Sequence, residues 1–186
     1  GTEAGGRVQG VMGSLVGTLT ASTRDFGNYD IPSSAQSDRL RAVNGEPAGP
    51  DGELPNSFVQ TDSLAGGLTW VGEKGFLGGA GRQQSSQYGL PLEDLKQTRY
   101  DMRGGLNIDN GFLTKVTGSA SVANYEHTEF EGPGEPGTKF ETDGFEGRLE
   151  VGHVLGPLEG EFGIQYADSS LDAIGDEAFI TPTDTK

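Results

Sequence analysis

The sequence predicts an all-β chain folded as an antiparallel meander of about seven or eight long strands. Two observations predict this class. Apolar and polar side chains alternate with a period of two in seven stretches, which is the pattern of a strand with one apolar face. Only 32% of the 186 residues are hydrophobic and 32 are glycine, so the chain is too poor in apolar residues for the thick core of a soluble sandwich.

The first alternating stretch lies within residues 7–22. A hairpin at Gly13 and Ser14 would divide this stretch and raise the strand number from seven to eight. The other six stretches follow in order at 63–71, 76–80, 99–107, 112–123, 145–151 and 161–166.

The connections between these strands alternate in length. The short ones carry tight-turn residues and read VGEKGF at 71–76, NIDNGF at 107–112 and VLGPLEGEF at 154–162. The long ones are 23–62, 83–96, 127–139 and the tail after Ala167. Short turns on one rim and long loops on the other are typical of outer-membrane barrels, with short periplasmic turns and long extracellular loops. The pattern therefore predicts a transmembrane β-barrel, and the strand count alone leaves open whether these strands close a small barrel or form part of a large one.

The strand at 112–123 predicts which side of such a wall would meet lipid. Val116 and Val122 lie on one side, and Lys115 and Ser121 lie on the other. A lysine facing lipid near the bilayer midplane costs roughly 2–4 kcal/mol. We therefore expect Lys115 and Ser121 to face a wet lumen and the two valines to face lipid.

Aromatic residues are expected to mark the two membrane interfaces. One group lies near the short turns and comprises Trp70, Phe76, Phe112 and Phe162. The other group lies near the long loops and comprises Tyr100, Tyr125, Phe145 and Tyr166.

Composition narrows the function classes. No stretch of 18 consecutive apolar residues predicts a transmembrane helix. The formal net charge of −15 argues against a nucleic acid partner. Cysteine is absent, so thiolate metal sites are excluded, and no G-x-S-x-G pattern indicates a nucleophile elbow. We expect a protein that is not an enzyme and has no resident cofactor.

Several motifs resemble those of one family. They are NYDIP, LPNS, TWVGEKGF, QYGLP, LKQTRYDMRGGL, NYEHTEFEG, FEGRLEVGH and IQYADSSLDAIGDEAF, and they occur in family order between Phe26 and Phe179. With these motifs the chain resembles TonB-dependent outer-membrane receptors, in particular the zinc-uptake type.

The resemblance implies a fold, a location and partners. Residues 1–186 would form a single partial barrel region, without a plug domain and without barrel closure, in a wall of about twenty-two strands. The chain would reside in the outer membrane of a Gram-negative cell, in contact with outer-membrane lipid, and TonB and a plug domain would act in the full-length protein. The transported ligand would be zinc or a metal chelate such as a siderophore.

Two alternatives remain open at the level of the residues. A small outer-membrane barrel, acting as a porin or an adhesin, would show the same strand pattern. A secreted all-β module with acidic, cation-binding loops would account for the charge. Dependence on detergent separates the secreted module from the two membrane proteins.

The segment YEHTEFEG carries the candidate metal ligands Glu126, His127, Glu129 and Glu131. Imidazole and carboxylate are suitable ligands for Zn²⁺. In an extended segment the last three would project to the same side, which favours shared coordination of one ion.

Other polar residues receive simpler interpretations. Asp172, Asp176 and Glu177 with Glu161 are candidates for weak divalent-cation binding, and His153 is expected to be an interfacial residue on the apolar side of its strand. Asp109, Asn110 and Gly111 predict a hairpin turn. The remaining charges predict a lumen wall with cross-strand ion pairs, formed by Arg99, Asp101, Arg103, Glu146, Arg148 and Glu150.

Overall fold

Strands dominate the computed structural model, which describes residues 1–45, 49–89, 92–132, 134–175, 178 and 181–186. One short helix, α1, spans Asp38–Asn44. The strands are β1 (Thr2–Met12), β2 (Leu15–Phe26), β3 (Tyr29–Asp30), β4 (Glu53–Leu54), β5 (Val59–Val71), β6 (Gly75–Gly89), β7 (Leu92–Asn110), β8 (Leu113–Gly132), β9 (Glu135–Leu155), β10 (Leu158–Ile174) and β11 (Thr183–Thr185).

Nine of these strands form one sheet. Its order is β1-β2-β5-β6-β7-β8-β9-β10-β11, and each neighbouring pair is antiparallel. The sheet is therefore a sequential meander, which confirms the predicted all-β class. β3 and β4 pair only with each other in the described chain, and they lie with α1 in the connection between β2 and β5.

Three hairpins on one rim of the sheet share a turn geometry. Each has a two-residue loop that begins with glycine, and the φ angles of Gly13, Gly111 and Gly156 are 58°, 64° and 60°. A glycine with positive φ at the first loop position is typical of a type II′ turn. The hairpin at Gly13 confirms the higher count of eight long strands. The predicted turn at 109–111 exists but is shifted by one residue, since Asn110 pairs with Leu113.

On the opposite rim two of the predicted long connections are wrong. β6 and β7 continue their pairing up to Gly89 and Leu92, and β8 and β9 continue up to Gly132 and Glu135. The strands thus include residues 83–89, 92–96, 127–132 and 135–139, where the sequence predicts loops. Backbone hydrogen bonds of an antiparallel ladder do not require alternating side chains, so Gly- and Pro-rich segments join it here.

The connection between β2 and β5 is long, as predicted, and contains α1. Ser37 caps the helix by accepting a hydrogen bond from the backbone N–H of Leu40. Gly45 ends it in the left-handed conformation at φ 67°.

The pairing register separates an apolar face from a polar face, because directly paired residues lie on the same side of a sheet. The apolar face carries large side chains that are about half exposed or more. They lie in successive cross-strand rows and include Leu19, Leu64, Leu68, Trp70, Leu77, Tyr100, Met102, Leu106, Val122, Phe145, Leu149, Phe162, Ile164 and Tyr166.

These side chains form an apolar band of limited height. We call the rim with the three tight hairpins the lower rim and the opposite one the upper rim. The upper row of the band contains Leu64, and its lower row contains Leu106 and Phe162. Each long strand carries four of the five rows, and successive rows are two residues apart, so at about 3.4 Å per residue the apolar part of a strand spans roughly 20 Å. The same face becomes charged above the apolar side chains, with Asp62 on β5, Lys96 on β7, Asp143 on β9 and Asp168 on β10. The apolar surface is therefore a stripe across all the long strands.

No described hydrophobic residue is buried. The accessible surface is 12803 Å², whereas a folded globular monomer of 19.5 kDa exposes about 8,500 Å². The difference reflects a single-layer sheet with both faces open. Within the described residues, no helix is long and apolar enough to cross a membrane.

The register corrects the predicted aromatic groups. Phe76 pairs with Gly105 and Tyr125 pairs with Thr142, and both rings lie on the polar face. Neither belongs to an interface belt on the apolar face. Trp70 and Phe162 lie in the lower rows of the apolar band, as the prediction requires.

Candidate functional site

The upper end of β8 positions the four predicted metal ligands at the rim of the sheet. Alternation along the strand places His127 and Glu129 on the polar face and Glu126 on the opposite face. Register shifts between Thr128 and Gly132 interrupt the pairing of β8 with β9 at Glu129 and Glu131. The segment therefore presents its acidic side chains in different directions.

Glu126 is engaged by two lysines on neighbouring strands. Its carboxylate lies 3.1 Å from Nζ of Lys139 and 3.8 Å from Nζ of Lys96. Lys139 also contacts Glu141 at 2.5 Å, and these two carboxylates raise the pKa of Lys139, Glu141 contributing most. The structure thus assigns Glu126 to an ion-pair cluster and separates it from the histidine.

His127 lies in an aromatic cluster. Its ring stacks on Phe140 with a centroid distance of 4.6 Å and meets the edge of Tyr125 at 5.5 Å. Nε2 lies 3.8 Å from a carboxylate oxygen of Glu129, which is too long for direct hydrogen bonding. His127 and Glu129 are therefore neighbours on one side, as predicted.

The structure does not assemble the four residues into one coordination sphere. Glu131 lies near Gly137, where an added Cβ would be 3.2 Å from Cγ of the glutamate. Among the described residues no group of three or more His, Asp and Glu side chains is arranged to hold a metal ion. Shared coordination by Glu126, His127, Glu129 and Glu131 stays a prediction.

A neighbouring carboxylate was missed by sequence reasoning. Glu93 on β7 pairs directly with Glu129 and with Tyr88 on β6. The hydroxyl of Tyr88 hydrogen-bonds Glu93, and this bond, with smaller contributions from burial and the nearby charge, raises the pKa of Tyr88 to about 12. Glu93 lies 36 residues before Glu129, so only the pairing of β7 with β8 could reveal it.

The Tyr88–Glu93 contact gives a testable pH dependence. We expect Glu93→Gln to return the pKa of Tyr88 toward 10.0, because the charged acceptor that favours the protonated phenol is lost. Because the pKa of Tyr88 is higher in the folded state than in the unfolded state, its protonated hydroxyl stabilises the fold below pH 10. This stabilisation is lost as the pH rises to about 12. The pKa of Tyr88 is measured by ultraviolet titration of phenolate in the wild type and in Glu93→Gln, with Tyr88→Phe identifying the contribution of Tyr88. A Tyr88 titration that is unchanged by Glu93→Gln would contradict the contact.

His153 lies on the apolar face next to a short turn, as predicted. Its ring stacks between Phe162, at 4.8 Å, and Phe112, at 5.8 Å. Gly160 makes room for this ring, since a Cβ there would be 3.1 Å from Nε2 of the histidine. These contacts give His153 an aromatic packing role at the edge of the apolar band.

Glu161 and Asp172, the two other acidic candidates that the structure describes, lie near opposite ends of β10. Glu161 lies near the lower end of β10 and faces Lys115 at 3.9 Å. Asp172 lies near the upper end of the same strand, directly opposite Glu141. Asp176 and Glu177 lie outside the described residues, so the cation-binding prediction for them has no structural description.

The polar face carries a belt of arginines. Three adjacent rows of the long strands hold five arginines and only two acidic residues, Asp101 and Glu146. We call these arginines the arginine belt: Arg7, Arg82, Arg99, Arg103 and Arg148. In a chain with 28 acidic and 13 basic residues, this concentration of positive charge is local and results from the register.

The ion pairs among the predicted wall residues run along the strands. Arg99 contacts Asp101 at 2.8 Å, and Arg148 contacts Glu150 at 2.6 Å. The prediction of cross-strand pairs among these residues is wrong, because side chains two residues apart in one strand share a face. Both pairs are substantially exposed, so each contributes little to stability.

Comparisons with known proteins do not assign a family. No protein-family model matches the chain, and no curated protein matches it significantly. The resemblance to TonB-dependent receptors therefore depends on the motifs of the sequence and stays a prediction.

Proposed function

We propose that this chain forms part of the wall of an outer-membrane transporter of the TonB-dependent type. The transporter takes up a metal ion such as zinc, or a metal chelate such as a siderophore. One observation carries the membrane part of this proposal: most of the large exposed apolar side chains of the sheet lie on one face, in a single band. The motifs resembling the receptor family carry the TonB-dependent part.

The dimensions of the apolar band support a membrane environment. Outer-membrane barrels present an apolar band about 25 Å tall, and the four apolar rows on each long strand span roughly 20 Å along it, which is of the same order. A soluble protein rarely exposes a contiguous apolar patch larger than a few hundred Å². The apolar face therefore needs an apolar environment, and lipid supplies it.

The polar face supports an aqueous lumen on the other side. Lys115, Ser121 and the arginine belt all lie there, opposite the band. In a closed wall these charges would remain hydrated while the opposite face contacts lipid. The upper rim, with its aromatic and acidic side chains, would lie at the outer surface and meet the ligand first.

The implied mechanism is capture followed by energised release into the periplasm. Groups at the upper rim bind the metal or chelate, and TonB then drives movement of a plug domain in the full-length protein. The chain contributes wall and rim surface to this process and no acid–base chemistry. Its partners are outer-membrane lipid, the plug domain and TonB.

Removal of detergent tests the membrane location. We expect the chain, purified in micelles, to aggregate when detergent is withdrawn, because the apolar band then meets water. Size-exclusion chromatography with light scattering measures the outcome. A monodisperse, folded chain in detergent-free buffer would favour the secreted module and contradict the proposal.

Growth under metal limitation tests the transport function. We expect deletion of the gene in its host to reduce growth at low zinc or low iron, and the intact gene to restore growth only while TonB is present. Uptake that persists without TonB would favour a small porin-like barrel. Unchanged growth and metal content under every limitation would overturn metal uptake.

A further inference from the structure

A groove on the polar face lies apart from the rim cluster. It runs across β1, β2, β5, β6 and β7 near one edge of the sheet and has a volume of about 420 Å³. Small-molecule sites usually measure about 300–1,000 Å³. The groove is therefore large enough for a small organic ligand and too small for a folded partner.

The floor of the groove is built from small residues. Ala65 and Gly67 on β5 lie beside Gly78 and Ala80 on β6. An added Cβ at Gly67 would lie 3.2 Å from Cβ of Ala80. A larger side chain at either position would therefore crowd the floor of the groove. A ligand can approach the sheet here and contact an apolar floor.

Two guanidinium groups give the groove its charge. Arg7 approaches it from β1 and Arg103 from β7. Arg103 has no hydrogen-bond or ion-pair partner among the described residues. Asp101, the one acidic residue lining the groove, is already paired with Arg99 at 2.8 Å.

Threonine hydroxyls add neutral donors between the two arginines. Thr18, Thr20 and Thr69 also line the groove. Guanidinium groups bind carboxylate or phosphate in a bidentate manner, and hydroxyls complete the set of donors. The groove thus offers positive charge at its ends and an apolar surface between them.

We propose that this groove binds a small organic anion with two acidic groups on an apolar body. Two guanidinium groups line the groove, and its one carboxylate is already paired with Arg99, so a cation is the less suitable occupant. As a statement about the transported ligand, the inference rests on the proposed function and favours an anionic chelate over a bare metal ion. As a statement about binding, it depends only on the polar face.

A direct binding measurement tests the proposal. The probe is naphthalene-2,6-dicarboxylate, titrated calorimetrically into the chain in neutral detergent micelles. We expect Arg103→Gln and Arg7→Gln each to weaken binding about ten-fold or more, since each removes a charge-assisted hydrogen-bonding group. Arg82→Gln is the matched control, because it removes the same charge from the same face outside the groove.

A second variant distinguishes the groove from general charge attraction. Ala80→Leu keeps every charge and fills the floor, so we expect it to weaken binding at least as strongly as Arg103→Gln. Equal loss in Arg82→Gln and Arg103→Gln, or unchanged binding in Ala80→Leu, would overturn the proposal. Binding of an acidic peptide without binding of the dicarboxylate would also overturn it, in favour of a protein occupant. The growth assay is separate, so failure of metal uptake leaves this test intact.

Discussion

An arginine at position 120 is expected to block insertion of the sheet into the outer membrane, the location that we propose for it. Ala120 lies in the central row of the apolar band, between Met102 and Gly147. A guanidinium facing lipid near the midplane costs about 2–4 kcal/mol, which is a large part of the stability of a typical domain. The fraction of chain that resists urea extraction from outer-membrane preparations measures the loss.

The neighbouring position supplies the control for this experiment. Ser121 lies on the polar face, directly opposite Asp101 on one side and Glu146 on the other. An arginine there meets two carboxylates and the hydrated lumen, so we expect Ser121→Arg to assemble as well as the wild type. The two variants differ by one residue along β8 and by the face they modify.

Depth within the band gives a graded test. Val122 lies one row above Ala120, between Tyr100 and Phe145, and its arginine variant can extend toward the charged upper rim. We expect Val122→Arg to reduce assembly, but less than Ala120→Arg does. If Ser121→Arg blocks assembly while Ala120→Arg and Val122→Arg do not, the assignment of the two faces is reversed.

Alanine at Gly75 is expected to destabilise the fold strongly. A Cβ at this position would overlap the backbone carbonyl oxygen of Gly105 and lie 3.2 Å from Cα of Leu106. The backbone cannot move away easily, because Lys74 accepts a hydrogen bond from Asn107 N–H at 2.6 Å and Gly75 accepts one from Gly72 N–H at 2.7 Å. Overpacking of this kind typically costs about 1–3 kcal/mol.

Gly79 is the matched control, since it lies on the same strand. A Cβ there would lie 3.6 Å from the carbonyl oxygen of Asp101, which is an ordinary contact. Replacing a strand glycine by alanine reduces the entropy lost on folding by roughly 0.5–1 kcal/mol. We expect Gly79→Ala to be neutral or stabilising and Gly75→Ala to lower the urea midpoint of the chain in micelles. Equal midpoints for the two variants would contradict the packing of β6 against β7.

Local alternation was enough to predict the strands and their two faces. The stretch at 145–151 alternates over its whole length and forms part of β9, and residues 113–123 of the stretch at 112–123 form the lower half of β8. The side of each residue follows from its own position in a pleated strand. For the same reason, the sequence placed His127 and Glu129 on one face of the sheet and Lys115 on the other face from Val116, as the structure does.

Loop lengths could not be predicted in this way. Residues 127–139 contain three glycines and two prolines and do not alternate, so they resemble a loop. Residues 127–132 and 135–139 nevertheless belong to β8 and β9, because two strands that are already paired can continue their backbone hydrogen bonding beyond the alternating segment. The partner strand decides the outcome, and its influence does not appear in the composition of the segment.

The sequence by itself determined that the chain is an antiparallel meander with one apolar and one polar face, because a period of two is a local property of the backbone. Only the tertiary structure decided which side chains became neighbours. It placed Glu93 opposite Glu129, paired Lys139 with Glu126 away from His127, and gathered the arginine belt on three rows. Each of these depends on the register between strands distant in sequence, which hydrogen bonding and packing across the whole sheet set together.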